Sequence, residues 1–300
     1  MMNKILFLSI CLFSTSLQAW NCSYEKEIDQ VLDLEGSEVL TILAGAGDLE
    51  IRGGDDRSEA VIRGRVCVSD EDWLAESRVD TTRGKNAEVV VELPELASSW
   101  SLMGSTYAYI DLEIIVPDNI QLDIKDSSGD VEIEGVSSLT LKDSSGDVRI
   151  EDIEGAVFLN DSSGDLVLED IEGDVTVDSD SSGDIRGRDV EGSVLVRRDS
   201  SGDIRFIDVG RDFTVERDSS GDITAKGVGG NFKVLADGSG DIYVGGKFSE
   251  YDGTLVSGLV RLKSDGRLDN AGFAPAPVAN VEGIALAPAG FIYSGSSTLP

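Results

Sequence analysis

The chain has 300 residues, of which 57 are Asp or Glu, 25 are Lys or Arg, none is His, and 40% are apolar. That apolar share furnishes a sizeable core, so a folded protein is expected. A formal charge of −32 argues against nucleic acid as a partner, because phosphates call for a basic surface, and leaves cations and cationic surfaces open.

Residues 1–19 read as a cleaved signal peptide, with Lys4 as the positive start, an apolar run from Ile5 to Phe13, and small or polar residues leading to Ala19. The run is too short for a lasting anchor, and no later stretch reaches the roughly 20 apolar residues a transmembrane helix needs. An exported, soluble chain is expected, either periplasmic or secreted to the cell surface. A lipoprotein anchor would need a small residue directly before its cysteine, whereas Cys22 follows Trp20 and Asn21. Removal of the leader takes Cys11 with it and leaves Cys22 and Cys67. In an oxidising compartment the pair is a disulfide candidate, two buried free thiols being the alternative.

Residues 20–125 hold longer strands, "EAVIRGRVCV", "AEVVVELP" and "YAYIDLEIIVPDNIQLDIK", with "DEDWLAES" as a loop or short helix. "TILAGAGDLEIRGG" reads as an early rung, and the segment as a cap that leads into a solenoid and hides its first edge.

Residues 126–248 repeat one phrase. Asp-Ser-Ser-Gly-Asp begins at Asp126, Asp143, Asp161, Asp180, Asp199 and Asp218, at intervals of 17, 18, 19, 19 and 19 residues, and a variant, "DGSGD", begins at Asp237 after a further 19. Each repeat carries two short stretches of alternating apolar residues, such as Val148 and Ile150 and then Val157 and Leu159, with a lone apolar residue, Ile153, between them. Period 2 over so few residues means strands. Isolated short strands cannot cover an apolar face, but strands stacked about 4.8 Å apart on equivalent strands share one interior. The fold class predicted is all-β, a single-stack, right-handed parallel β-helix with 17–19 residues per rung.

The phrase is first of all a corner. Leu141 and Val148 both belong to the interior yet lie an odd number of residues apart, so the in-out alternation must break once between them. Gly146 is the natural place. Ser and Asp beside it can close a turn through local hydrogen bonds.

Stacked corners place two aspartate columns along the coil, and like charges about 4.8 Å apart repel by roughly 1 kcal/mol even in water. Relief is expected from backbone N–H groups, from Arg149, Arg186, Arg198, Arg205 and Arg217, or from bound calcium. The calcium candidates are Asp143, Asp147, Asp161, Asp165, Asp180, Asp184, Asp199, Asp203, Asp218 and Asp222. No other metal or cofactor is called for.

Residues 249–300 lose the rhythm and become rich in Ala, Pro and Gly, as a C-terminal cap or flexible tail would. With "AGAGDLEIRGGDD", "VPDNIQLDIKDSSGDVEIEGV" and the serial "SSGD" corners in view, residues 38–248 resemble the bacterial "putative adhesin" β-strand repeat proteins, a domain family of unknown function. That resemblance implies a parallel β-helix at the envelope or outside the cell. It implies no activity and no catalytic residues.

Three functions compete. The favoured one is a non-catalytic, adhesin-like scaffold that binds an envelope, glycan or protein surface, or associates with itself through the solenoid ends. In its favour, the rungs vary by only two residues and carry no projecting loop with which to build a cleft. The second is a calcium-stabilised structural repeat protein. The third is a polysaccharide-acting enzyme using paired aspartates. Against the third, every rung offers the same pair, and no His stands ready as a base. Ser200 and Ser219 likewise have no His partner and are turn residues.

Overall fold

The computed structural model describes residues 22–54, 57–95 and 106–245, and then the segments 250–251, 254–256, 258–263, 267–269, 283–287 and 291–295. The expected leader, residues 1–19, and most of the Ala, Pro and Gly-rich tail lie outside the described residues.

Strands build nearly all of it. The N-terminal part holds β1 (Tyr24–Asp33), β2 (Val39–Ala46), β3 (Leu49–Gly54) and β4 (Glu59–Val68). A single helical turn, α1 (Trp73–Glu76), follows inside "DEDWLAES", then β5 (Arg78–Thr82), β6 (Asn86–Glu92), β7 (Ala108–Pro117) and β8 (Gln121–Ser128). From there each repeat contributes two strands. These are β9 (Val131–Val136) and β10 (Ser138–Lys142), β11 (Val148–Ile153) and β12 (Val157–Asn160), and β13 (Leu166–Ile171) and β14 (Val175–Ser179). They continue as β15 (Ile185–Val190) and β16 (Val194–Val196), β17 (Ile204–Val209) and β18 (Phe213–Val215), and β19 (Ile223–Val228) and β20 (Phe232–Val234). Toward the end come β21 (Ile242–Gly245), the short pair β22 (Glu250–Tyr251) and β23 (Thr254–Leu255), β24 (Leu259–Leu262), and the hairpin of β25 (Gly283–Ala287) and β26 (Phe291–Gly295).

The odd-numbered repeat strands lie side by side in a twelve-stranded sheet, ordered β1-β4-β7-β3-β9-β11-β13-β15-β17-β19-β21-β24. The even-numbered ones form a ten-stranded sheet, β20-β18-β16-β14-β12-β10-β8-β2-β6-β5. The chain therefore crosses from one sheet to the other at each Asp-Ser-Ser-Gly-Asp corner and returns at the next turn. Equivalent strands pair in parallel, with Val148 on Leu166, Ile150 on Leu168 and Ile153 on Ile171 in the first sheet, and Val157 on Val175 and Leu159 on Val177 in the second. The early rung follows the same rule, β2 pairing with β8 and β3 with β9. Antiparallel strands stand at both ends of the first sheet, β4 on β7 and β24 on β21.

Where one closed helical wall was predicted, the rungs form two sheets. The reason is local. Between β10 and β11, or β12 and β13, the chain turns through Ser, Gly and Asp, joined to the next rung by single bonds such as Gly146 N–H to Ser163 O at 3.1 Å and not by a continuous ladder. A second corner sits inside the strands of the first sheet, where Asp152, Asp170, Asp189 and Asp208 have φ between 52° and 58°.

The inward side chains of both sheets enter one apolar cluster. Val148, Ile150, Ile153, Val157 and Leu159 are all at most 1% exposed, so all five apolar positions of the rung are core. The packing is adjusted rung by rung. Gly187 leaves a gap in its column that the Phe206 ring of the next rung fills, and Phe206 in turn lies 5.5 Å, centroid to centroid, from Phe213. Phe213 stacks on Phe232 at 5.4 Å and 9°. At about 25 cal/mol per Å² of buried apolar surface, each rung adds several kcal/mol of gross stabilisation, much of it offset by chain ordering.

Candidate functional site

The corner is built the same way in successive repeats. Gly146, Gly164, Gly183, Gly202 and Gly221 take φ between 126° and 136°, which side-chain-bearing residues avoid. In front of each glycine the first aspartate folds back onto its own turn. Oδ1 of Asp143 accepts the Ser144 N–H at 2.7 Å, that of Asp161 accepts the N–H groups of Ser162 and Ser163 at 2.6 and 3.3 Å, and those of Asp199 and Asp218 accept from Ser201 and Ser220. The second serine ties rungs together, the Ser220 hydroxyl donating to the Ser200 carbonyl at 3.2 Å.

The second aspartate looks outward and does something else. Asp165 donates its peptide N–H to Oδ1 of Asp147 at 3.0 Å, Asp184 to Asp165 at 2.9 Å, Asp203 to Asp184 at 2.8 Å, and Asp222 to Asp203 at 2.9 Å. The same bond runs from Asp48 to Asp111 at one end and from Asp241 to Asp222 at the other, so the ladder is unbroken across the early rung and all the repeats. Of the sources of relief open to the outer column, backbone N–H groups are the principal one. Arg186 assists by bridging Asp165 and Asp184, and the backbone bond and this guanidinium hold the Asp165 carboxyl below its ordinary range. The other arginines go elsewhere. Arg149 pairs with Glu151 and Glu169, and Arg198 approaches Asp178, while Arg205 and Arg217 make no ion pair among the described residues.

The inner column is electrostatically opposite. Asp143, Asp161, Asp180, Asp199 and Asp218 are 1–4% exposed. Oδ2 of each, and of Asp126 and Asp237, is buried and meets no donor. Loss of solvent is the chief cause that raises all of their pKa values, Asp161 and Asp218 to about 6 and Asp199 to about 7. Neighbouring carboxylates raise them further, while the serine N–H groups of the turn pull the other way.

The ten aspartates named as calcium candidates thus separate into an inner set, Asp143, Asp161, Asp180, Asp199 and Asp218, and an outer set, Asp147, Asp165, Asp184, Asp203 and Asp222. Among the described residues no three His, Cys, Asp or Glu side chains converge in a way that could hold a metal ion. Cys22 and Cys67 are joined in a disulfide with Cα atoms 5.4 Å apart, which fastens the chain just before edge strand β1 to the end of β4.

A third acidic column went unrecognised in the sequence. Asp152, Asp170, Asp189 and Asp208 stand exposed in the left-handed region, and in the first and penultimate rungs the same place is held by Gly135 and Gly227, with φ of 70° and 69°. The signal was available, since Ile150 and Ile153 both face inward at an odd separation, which demands a second parity break. With Glu172 and Glu191 these aspartates line an open groove of about 470 Å³ running across the rungs. A second open groove, about 440 Å³, follows the outer corner column past Asp48, Asp130, Asp147 and Asp165. Both are open and mostly acidic, the first ending at Gly227 and Gly229 and the second admitting Arg149.

The Toastrack DUF4097 family matches residues 57–253. A domain of unknown function described as a DUF5122 beta-propeller matches residues 238–271. No curated protein matches the chain. Among solved structures, a "putative cell adhesion protein" from Clostridium sporogenes is 14% identical, covering 70% of this chain and 99% of its own, with a TM-score of 0.34. A "putative lipid binding protein" from Parabacteroides distasonis is 15% identical, with coverage of 72% and 95% and a TM-score of 0.34. A "putative adhesin" from Bacteroides fragilis is 13% identical, with coverage of 70% and 97% and a TM-score of 0.33.

Proposed function

This chain belongs to the Toastrack DUF4097 family, and from that premise we propose that it is a non-catalytic, exported binding scaffold of the cell envelope, adhesin-like in role. Its two-sheet stack is read as one right-handed β-helical solenoid, one repeat to a coil, whose long acidic faces are the binding surface.

The observation that carries this reading is the sameness of the rungs. From β9 to β19 the strands of the first sheet pair in parallel register and successive repeats differ in length by at most one residue, so the same corner recurs from rung to rung without a projecting loop. A catalytic centre needs unlike groups converging at one place. Here the serines close turns, the outer aspartates hold backbone N–H groups, and the chain contains no His. The two open acidic grooves favour a partner of positive charge, with complementarity governing encounter.

The test is incubation of the purified chain with native envelope and, in parallel, with purified envelope polysaccharides. A scaffold is retained on the envelope in a saturable, salt-sensitive manner and releases no soluble saccharide. Fragments released in proportion to the protein added would overturn the reading in favour of an enzyme.

A further inference from the structure

We propose that the inner column of corner aspartates is a proton-binding site, in which a proton held on Oδ2 of one rung is donated to a carboxyl oxygen of the next, so that mildly acidic solution stabilises the fold. This reading is independent of the binding role proposed above.

Three observations carry it. In Asp143, Asp161, Asp180, Asp199 and Asp218 one oxygen is fully used by the turn while the other is buried with no donor in reach. A buried carboxylate oxygen without a donor carries the full desolvation penalty, and one proton removes both the charge and the orphan acceptor. Second, the column has unit-rung spacing. Asp143 and Asp161 donate their peptide N–H groups to Asn160 and Ser179, and Asp180 and Asp199 to Arg198 and Arg217, in each case to the residue before the next aspartate at 2.9 Å. Successive carboxyls are thereby held one strand spacing apart, and between Asp126 and Asp143 three buried oxygens, both of Asp126 and Oδ2 of Asp143, have no donor. Two acceptors face to face attract only when a proton lies between them.

Third, the charged groups that act on the column are acids. Asp48 and Asp143 bear on Asp126, Asp130 on Asp143, Asp165 on Asp180, Asp203 on Asp218, and Asp222 and Asp241 on Asp237. Among the described residues no lysine or arginine forms an ion pair with these aspartates, and no metal cluster forms. The proton comes from solvent. It binds Oδ2, forms one O–H bond, and donates one hydrogen bond to the adjoining carboxyl.

Asparagine is the decisive substitution, because it keeps an acceptor for the turn and supplies N–H donors where the protonated acid supplies O–H. Unfolding midpoints of the purified chain and of Asp199→Asn and Asp199→Ala would be measured at constant ionic strength from pH 8 to pH 5. The unaltered protein is expected to unfold at least ~5 °C higher at pH 5 than at pH 8. Asp199→Asn is expected to unfold above it at pH 8 with a shallower pH dependence, and Asp199→Ala below it at both. An Asp199→Asn midpoint as low as that of Asp199→Ala at pH 8 would overturn the proposal. So would a calcium-induced rise at pH 8 that Asp199→Asn abolishes, which would make the column a metal site. Carboxyl ¹³C resonances of the unaltered protein give a readout that needs no variant. Several aspartates titrating between pH 5 and 8 are expected, and none above pH 5 would refute it.

Discussion

A Cβ placed on Gly202 would lie 1.7 Å from the carbonyl oxygen of Gly183, the corner glycine of the preceding rung. No side chain fits there without moving two rungs apart, and at φ 129° the backbone itself resists one. Gly202→Ala is therefore expected to destabilise by about 3 kcal/mol or more, combining backbone strain with lost rung-to-rung bonds. Chemical denaturation would measure it. A change below about 1 kcal/mol would mean the corner tolerates separation and does not set the rung spacing.

The Phe206 ring occupies the space that a side chain at Gly187 would need, with Cε1 of the ring 2.1 Å from the position a Cβ would take. Phe206→Ala should cost about 3–5 kcal/mol, the usual range for a buried aromatic emptied to a cavity. Gly187→Val alone should also destabilise, by overpacking. Together they should cost clearly less than the sum, because valine enters the volume the ring has left. A double-mutant cycle reads the coupling, expected at 1 kcal/mol or more in magnitude on the scale of ~0.5–3 for residues in contact. Strict additivity would show that the two positions do not share space.

Much of this was readable from residues alone, and the limits have physical causes. The corner at Gly146 announced itself because Leu141 and Val148 are both apolar at an odd separation, and the pairing of β2 and β3 with the repeats followed from "AGAGDLEIRG". Two features stayed hidden. Period-2 patterning names an inward face but no neighbour, so nothing foretold that β4 and β7 would run antiparallel between β1 and β3. Identical letters also concealed opposite roles. Asp143 and Asp147 differ only in their side of Gly146, yet one is buried and short of a donor while the other holds a backbone N–H in water.

Those opposite roles give a stability profile with a maximum. A carboxyl raised in the fold adds stability as pH falls from its folded value toward the unfolded one near 4, whereas a lowered carboxyl adds stability above pH 4 and withdraws it as pH falls through its folded value. Asp161, Asp199 and Asp218, at about 6 to 7, belong to the first kind, and Asp165 and Glu169 to the second. Thermal midpoints should climb from pH 8, peak at about pH 4–5 and drop below pH 4. Asp165→Asn keeps an acceptor for the Asp184 N–H but gives up the attraction to Arg186. Because that pair is partly exposed, the loss at pH 7 should be about 0.5 kcal/mol, with a shallower acid limb. A profile that falls steadily from pH 8 to pH 4 would contradict the assignment of the inner column.

The disulfide between Cys22 and Cys67 spans 45 residues, and the closed loop contains β1, the edge of the first sheet. In the unfolded chain such a link removes loop entropy equivalent to about 2–4 kcal/mol. In the folded chain it fastens the register of β1 on β4, where Tyr24 opposes Val68 and Glu25 opposes Cys67. Within the sheet β1 pairs with β4 alone, and besides the bond it is held by Lys26, whose Nζ donates to the Leu74 and Ser77 carbonyls, and by Gln30, whose Nε2 donates to the Val79 carbonyl, while Val31 is 55% exposed, so little apolar burial holds the strand's outer side. The double substitution Cys22→Ser with Cys67→Ser should therefore lower stability by 2–4 kcal/mol and, before global unfolding, release β1 first. Amide hydrogen exchange separates the two effects. Residues 24–33 should exchange faster by one or more orders of magnitude while β11 to β17 keep their protection relative to the new global limit. Unchanged exchange in β1 would place the anchor of that edge in the β1–β4 ladder itself, with the disulfide acting on the unfolded chain alone.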